Sequence, residues 1–307
     1  MKPTLVSPSA VAPTGVGHPY SPPLSSGRAV DLPGRGTTFV HEIEGPPGAP
    51  TLMLLHGLGA TAALNWFTTF PELGHQFHVV ALDHRGHGRG IRAATPFTLE
   101  DAADDAVALA DVLHIDRFIA VGYSMGGPIA QLIWRRHRDR VAGLVLCATS
   151  HRFRVTPPEH VMFRWLPAFE QATRLVPDVF TRRLIANLSA PYLSQNSFAR
   201  WALDELLLRD QRSVLQAAVA LGRYKATPWI SDIDVPTSVL VHRRDRLVPP
   251  ARQMELASAI PGSVTRDVDG DHLAVVRNPQ RFVRTLIAGI DDVISAHASP
   301  FDMRQAC

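Results

Sequence analysis

Eight short stretches of the chain are continuously apolar or alternate in period two, and most are separated by amphipathic stretches of helical length. Ala29 to Leu32 and Thr37 to Ile43 read as two strands joined by the turn residues Pro33-Gly34-Arg35-Gly36. Thr51 to Leu55, Phe77 to Leu82, Phe118 to Val121, Val141 to Ala148, Pro236 to His242 and Ser263 to Val268 read as further strands. Most of these six are apolar at successive positions, which is the mark of strands buried on both faces. Between them, helical spacing is clear at Leu99 to Leu113, Ile129 to Trp134, Pro250 to Ala259 and Pro279 to Ala296. Thr98 with Asp101 predicts an N-terminal capping box for the first of these. The pattern implies an α/β fold: a mostly parallel sheet covered on both sides, with the two leading strands as a possible antiparallel edge.

Residues 151 to 230 break the alternation. Pro158 to Phe169, Pro177 to Leu188, Phe198 to Leu208 and Ser213 to Arg223 carry helical signals with no strand between them. A helical insertion between strands of a parallel sheet is expected to cap the sheet's C-terminal edge, where open α/β folds bind ligands. The chain therefore divides into a Pro/Ser/Gly-rich leader (1–26), a core (27–150 and 231–297), a helical cap (151–230) and a frayed tail (298–307). The leader has no apolar period and is expected to be extended or disordered. No internal repeat occurs.

Composition narrows the class without choosing the chemistry. The 307 residues are 46% apolar and 19% charged, with a net charge of +3, as in a soluble globular protein. Arginines are spread rather than clustered and no nucleic-acid motif is present, so no nucleic-acid partner is expected. No run reaches the roughly 18 apolar residues of a spanning helix, so no stable membrane insertion is expected. Prolines interrupt the N-terminus where a signal peptide needs an apolar run, which points to the cytoplasm. Two cysteines, Cys147 and Cys307, cannot make a disulfide framework, and Cys147 reads as a buried inert thiol. Nothing in the pattern reports an oligomeric state.

Candidate chemistry centres on Gly122-Tyr123-Ser124-Met125-Gly126, between a predicted strand and a predicted helix. G-x-S-x-G alone is weak, since on the order of one chain in ten of this length carries it by chance. Its setting sharpens it: glycines on both sides let strand and helix cross closely and hold the Ser124 hydroxyl out at the sheet edge. A serine nucleophile needs a base, and His272 follows the last strand on that same edge. The base needs an anion to hold its tautomer, and Asp245 follows the penultimate strand. Asp269 and Asp271 rank below it, because a side chain adjacent in sequence seldom turns back to the imidazole. Arg243, Arg244 and Arg246 around Asp245 are expected to favour its ionised form. The N–H groups of Met125 and Leu58 are the candidate donors to a developing oxyanion. Ten aromatic residues in the cap favour an apolar substrate, and His56, Tyr123, Phe163, Trp165 and Trp201 are the candidate pocket residues. His84 and His87 have a spacing a metal could use, but no second pair of ligands supports one.

The segments LLHGLGA, VVALDHRGHG, VGYSMGGPIA, VLVHRRDRLVPP and VDGDHLAV together resemble the α/β-hydrolase superfamily, in particular its cap-bearing esterases and lipases. The resemblance implies an α/β-hydrolase fold with Ser124 as nucleophile, Asp245 as acid, His272 as base, and Leu58 and Met125 as oxyanion amides. Arg89 departs from it, since many members carry a small residue there. The expected reaction is hydrolysis of a small-molecule apolar carboxylic ester without a cofactor. Carbon–carbon, lactone or amide hydrolysis, acyl transfer and peroxidation share the same apparatus, and Arg152, Arg154 or Arg164 could serve a carbon–carbon hydrolase. A ligand-binding receptor with a hydrolase fold is the non-enzymatic alternative, against which the complete set of three residues argues.

Overall fold

The computed structural model describes residues 22–173, 197–208 and 210–302. Eight strands form one sheet: β1 Arg28–Leu32, β2 Gly36–Ile43, β3 Thr51–Leu55, β4 His78–Leu82, β5 Phe118–Tyr123, β6 Val141–Cys147, β7 Thr237–His242 and β8 Val264–Val268. Their spatial order is β1-β2-β4-β3-β5-β6-β7-β8. The pairs β1/β2 and β2/β4 are antiparallel and every other pair is parallel.

Alternation along each central strand builds two cores from one sheet. Met53, Leu55, Val80, Leu82, Ala120, Leu144, Leu146, Val239 and Val241 face one side. There they meet helices α3 (Leu99–Val112) and α4 (Gly126–Arg136). Leu52, Leu54, Val79, Ala81, Ile119, Val121, Val145 and Leu240 face the other. The short helices α1 (Ala62–Trp66) and α2 (Phe70–Gly74) cover that side through Trp66 and Phe70, together with Phe282, Leu286 and Ile290 of the last helix. Leu52 to Leu55 are fully buried, and each such side chain stabilises the fold by about 1.5–3 kcal/mol relative to exposure. A strand with no solvent face has no polar positions, which is why these runs read as unbroken.

At α3, Thr98 Oγ accepts the Asp101 N–H at 3.0 Å and donates its own proton to the Asp101 carboxylate at 2.8 Å, so the capping pair meets as expected. Between β6 and β7 lie α5 (Pro157–Thr173), α6 (Ser197–Leu207) and α7 (Gln211–Arg223), with no strand among the described residues there. The helix predicted at Pro177 to Leu188 falls outside the described residues. Helix α8 (Pro250–Ala259) follows β7, and α9 (Ala274–Arg277) and α10 (Pro279–Asp302) close the chain. Helix α10 runs past Ala296, where the apolar period predicts its end. Among the described residues no helix is long and apolar enough to cross a membrane.

The parallel strands all point the same way, so β3, β5, β7 and β8 deliver their following loops to one edge. That edge carries the residues of interest.

Candidate active site

Ser124 sits on the turn between β5 and α4 with φ of +52°, a left-handed conformation that costs a residue with a Cβ about 1–3 kcal/mol. Close packing imposes it. A Cβ on Gly126 would lie 2.0 Å from the Leu55 carbonyl oxygen, and one on Gly122 would lie 2.3 Å from that of Gly126. The turn is pinned by Ser124 N–H donating to the Cys147 carbonyl at 2.9 Å and by the Thr149 hydroxyl donating to the Ser124 carbonyl at 2.7 Å.

His272 Nε2 lies 3.0 Å from Ser124 Oγ, and His272 Nδ1 lies 2.7 Å from Asp245 Oδ2. A carboxylate only accepts, so Nδ1 carries the proton and the Nε2 lone pair faces the serine hydroxyl. Asp245 is buried, and its oxygens are well supplied with donors: Oδ1 takes the N–H groups of Leu247 at 2.8 Å and Val248 at 2.9 Å, and Oδ2 takes Gln253 Nε2 at 3.2 Å. These partners are backbone and amide donors rather than the flanking arginines. Arg243 and Arg244 turn outward to Asp267 and Asp269. The two nearer carboxylates are also engaged elsewhere, Asp269 with Arg244 and Arg281, and Asp271 with the Leu273 N–H and Arg277. The Leu273 amide holds the Asp271 carboxyl below the usual range, with Arg277 adding to the effect.

The loop 56–59 lies directly against the serine, since a Cβ on Gly57 would be 3.4 Å from Ser124 Cβ. Gly57 N–H donates to Asn65 Oδ1 at 3.0 Å, which fixes the loop. Among the described residues, the N–H groups of Leu58 and Met125 have no hydrogen-bond partner within the protein. Met125 immediately precedes α4, where unpaired N–H groups and the helix dipole favour negative charge.

The predicted pocket residues separate into different places. His56 is fully buried: Nδ1 donates to the Gly57 carbonyl at 2.8 Å and Nε2 accepts the His84 N–H at 2.9 Å. It braces the loop from behind and presents nothing to a ligand. Tyr123 is likewise buried, its hydroxyl donating to the His272 carbonyl at 2.7 Å. Trp201 packs on Ala63 and Phe67, Phe163 packs against Gly222, and Trp165 is exposed on α5. Instead, the exposed apolar side chains next to this hydrogen-bonded relay are leucines. Leu247 (69% exposed) and Leu273 (47%) line a groove of about 930 Å³ that also contains Asp245 and His272, and Leu58 (37%) is exposed in the loop beside the serine. Arg246 and Arg277 line the same groove. A second cavity, of about 580 Å³, lies between residues 96–100 and helices α5 and α7 and includes none of Ser124, Asp245 and His272.

Sequence reasoning missed Asn65, Gln253 and the Tyr123 hydroxyl as supports. Asn65 and Gln253 lie eight residues beyond the groups they hold, each on the helix that follows the loop, and Tyr123 lies 149 residues before His272, so no motif spacing announces them. Cys147 is buried, and burial pushes its thiol pKa up, as an inert thiol requires. Arg152 pairs with Glu255, and Arg154 donates from Nε to His160. The rings of His84 and His87 pack against His56, and among the described residues no group of three or more metal-ligating side chains converges.

Burial lowers the pKa of both His56 and His242 to about 4. The unfolded chain binds protons near pH 6.5 while the folded chain does not, so stability is lost as pH falls from about 6.5 to about 4. Each histidine contributes on the order of 3 kcal/mol of that loss. Urea midpoints at pH 7, 5.5 and 4.5 should fall steadily; a flat series contradicts the account.

An eight-stranded, mostly parallel sheet with a strand-turn-helix serine at its C-terminal edge defines a hydrolase-type α/β architecture. The alpha/beta hydrolase fold family model matches residues 50–279, and the chain belongs to that family. It is 29% identical over 258 residues to a RutD protein of Serratia proteamaculans named as a candidate carbamate hydrolase, covering 78% of this chain and 91% of the relative. Among solved structures, the enol-lactonase from Burkholderia xenovorans superposes with a TM-score of 0.66 at 25% identity, covering 86% of this chain and all of that one. A thermophilic esterase from Thermogutta terrifontis gives a TM-score of 0.69 at 24% identity over 88% of this chain and 99% of its own, a likeness of fold.

Proposed function

We propose that this protein is a serine hydrolase that cleaves a small carboxylic ester bearing an apolar group, through an acyl-enzyme intermediate. The observation that carries the reading is the relay of 3.0 Å from Ser124 Oγ to His272 Nε2 and 2.7 Å from His272 Nδ1 to Asp245. Ser124 Oγ attacks the carbonyl carbon as His272 Nε2 takes its proton. The carbonyl oxygen becomes an oxyanion and receives the Leu58 and Met125 N–H groups. His272 then protonates the leaving alkoxide, the alcohol departs, and the acyl group stays on Ser124. Water, deprotonated by His272, attacks the acyl carbon and releases the acid with Ser124 restored. Asp245 holds the tautomer and stabilises the imidazolium. No cofactor enters any step.

Leu58, Leu247 and Leu273 support an apolar group on the substrate. The inserted helices act as a cap over this edge. A lactone is a cyclic ester and passes through the same steps, and the likeness to an enol-lactonase favours it as the second reading. The first test is covalent labelling by a fluorophosphonate, followed by a chain-length series of chromogenic esters and one lactone. The reading requires stoichiometric label at Ser124 and turnover that improves from acetate to medium chains. Absence of label on folded protein overturns it.

A further inference from the structure

Helix α6 carries Glu205, a buried acid on a helix that already has an apolar anchor in Trp201. Its Oε2 accepts the Thr61 hydroxyl at 2.6 Å and its Oε1 accepts Arg89 Nη2 at 3.1 Å. Burying a carboxylate against a guanidinium gives little net stability compared with apolar packing, so the pair calls for another explanation. What it touches supplies one. Thr61 is the N-cap of α1, its Oγ accepting the Leu64 N–H at 2.9 Å, and it lies three residues after Leu58 in the loop that faces Ser124. Asp83 completes a ring: its carboxylate accepts the Ala62 N–H at 2.7 Å and the Arg89 N–H at 2.8 Å. Arg89 is further held with its guanidinium 4.0 Å over the Phe39 ring. This is the arginine that departs from the family pattern, and here it meets the acid of the inserted helix. Beyond α6 the chain stays attached to the same core loop, with Arg92 donating to the Leu208 carbonyl at 2.8 Å and Asp210 N–H donating to the Gly86 carbonyl at 3.0 Å.

We propose that Glu205 is a positioning residue: through Thr61 and Arg89 it couples the seating of helix α6 to the placement of the Leu58 N–H, so the oxyanion site is complete only while that helix is docked. The inference rests on the serine-hydrolase reading for its catalytic consequence, though not for the structural coupling itself. It makes the insertion part of the catalytic assembly.

The test compares wild type with Glu205→Ala, Glu205→Gln, Thr61→Val and the Glu205→Ala/Thr61→Val double variant. For Glu205→Ala, kcat on one chromogenic ester falls roughly ten- to a hundredfold, within the range for losing an oxyanion donor, while KM stays within about threefold. Glu205→Gln keeps an acceptor for Thr61 and the shape of the side chain, so it folds as wild type and recovers most of kcat. Thr61→Val gives a loss at least of the same order, since it also loses the α1 cap, and the double variant falls by less than the product of the two single losses, because both remove the Glu205–Thr61 hydrogen bond. Hydrogen exchange of amides 57–64 quickens at least about tenfold in Glu205→Ala. A rise in KM alone, a kcat within twofold of wild type, or unchanged exchange in that segment overturns the proposal. Ser124→Ala in the same assay tests the underlying reading separately, and the exchange arm decides the coupling without turnover.

Discussion

Ser124→Ala loses ester hydrolysis by roughly 10⁵-fold or more and no longer takes the fluorophosphonate. The expectation follows from the isolation of the hydroxyl. No other side-chain hydroxyl makes a hydrogen bond to the His272 ring among the described residues, and the buried Tyr123 hydroxyl is committed to the His272 backbone carbonyl. Alanine removes one oxygen, keeps a Cβ at the same φ of +52° and leaves the turn's backbone hydrogen bonds in place. The variant should therefore melt within a degree or two of wild type, about the effect of a few tenths of a kcal/mol. What activity persists comes from the two N–H groups and from binding, so KM changes little. A variant rate within tenfold of wild type sinks the assignment.

Asp245→Asn lowers kcat by about 10⁴-fold with little change in fold. The asparagine keeps one carbonyl oxygen for the Leu247 and Val248 amides, so the loop holds its shape. It then presents N–H₂ toward His272 Nδ1, which must become the acceptor. The proton moves to Nε2, where it faces the serine hydroxyl and cannot take its proton. Asp271→Asn is the matched control. That carboxylate serves the Leu273 amide and Arg277, outside the relay, and its loss leaves kcat within about threefold. Steady-state kinetics on both variants decides between the two acids, and equal losses would mean that Asp245 holds no special place.

The central strands were legible because burial on both faces removes polar residues from the run, as at Leu52 to Leu55, while the exposed edge strands β1, β2 and β8 were legible from shorter apolar or alternating runs bounded by turn residues. Helices with a broad packed face, such as α3 and α8, were legible from their period and their start signals. The helices α1, α2 and α9 were missed because four or five residues complete little more than one turn, too few to display a period. Ser124, Asp245 and His272 could be singled out because topology sends every loop after a parallel strand to one edge. The groups that hold them were not visible. Gln253 reaches Asp245 from one helix away, Asn65 braces Gly57 from α1, and Glu205 meets Thr61 across 144 positions. Such partners are set by packing, which one sequence does not display. The pocket aromatics illustrate the same limit: Trp201 and Phe163 are spent on packing, while Leu247 and Leu273, which no motif singled out, provide exposed apolar surface in the groove with Asp245 and His272.

The positive φ at Ser124 has a further consequence. A glycine there would relieve most of the backbone strain and should raise the unfolding midpoint while removing the proposed nucleophile. Thermodynamic fitness and chemical competence thus favour different residues at one position. The serine persists only as long as its chemistry is selected, and drift freed from that demand would have a downhill path toward a sturdier, silent protein.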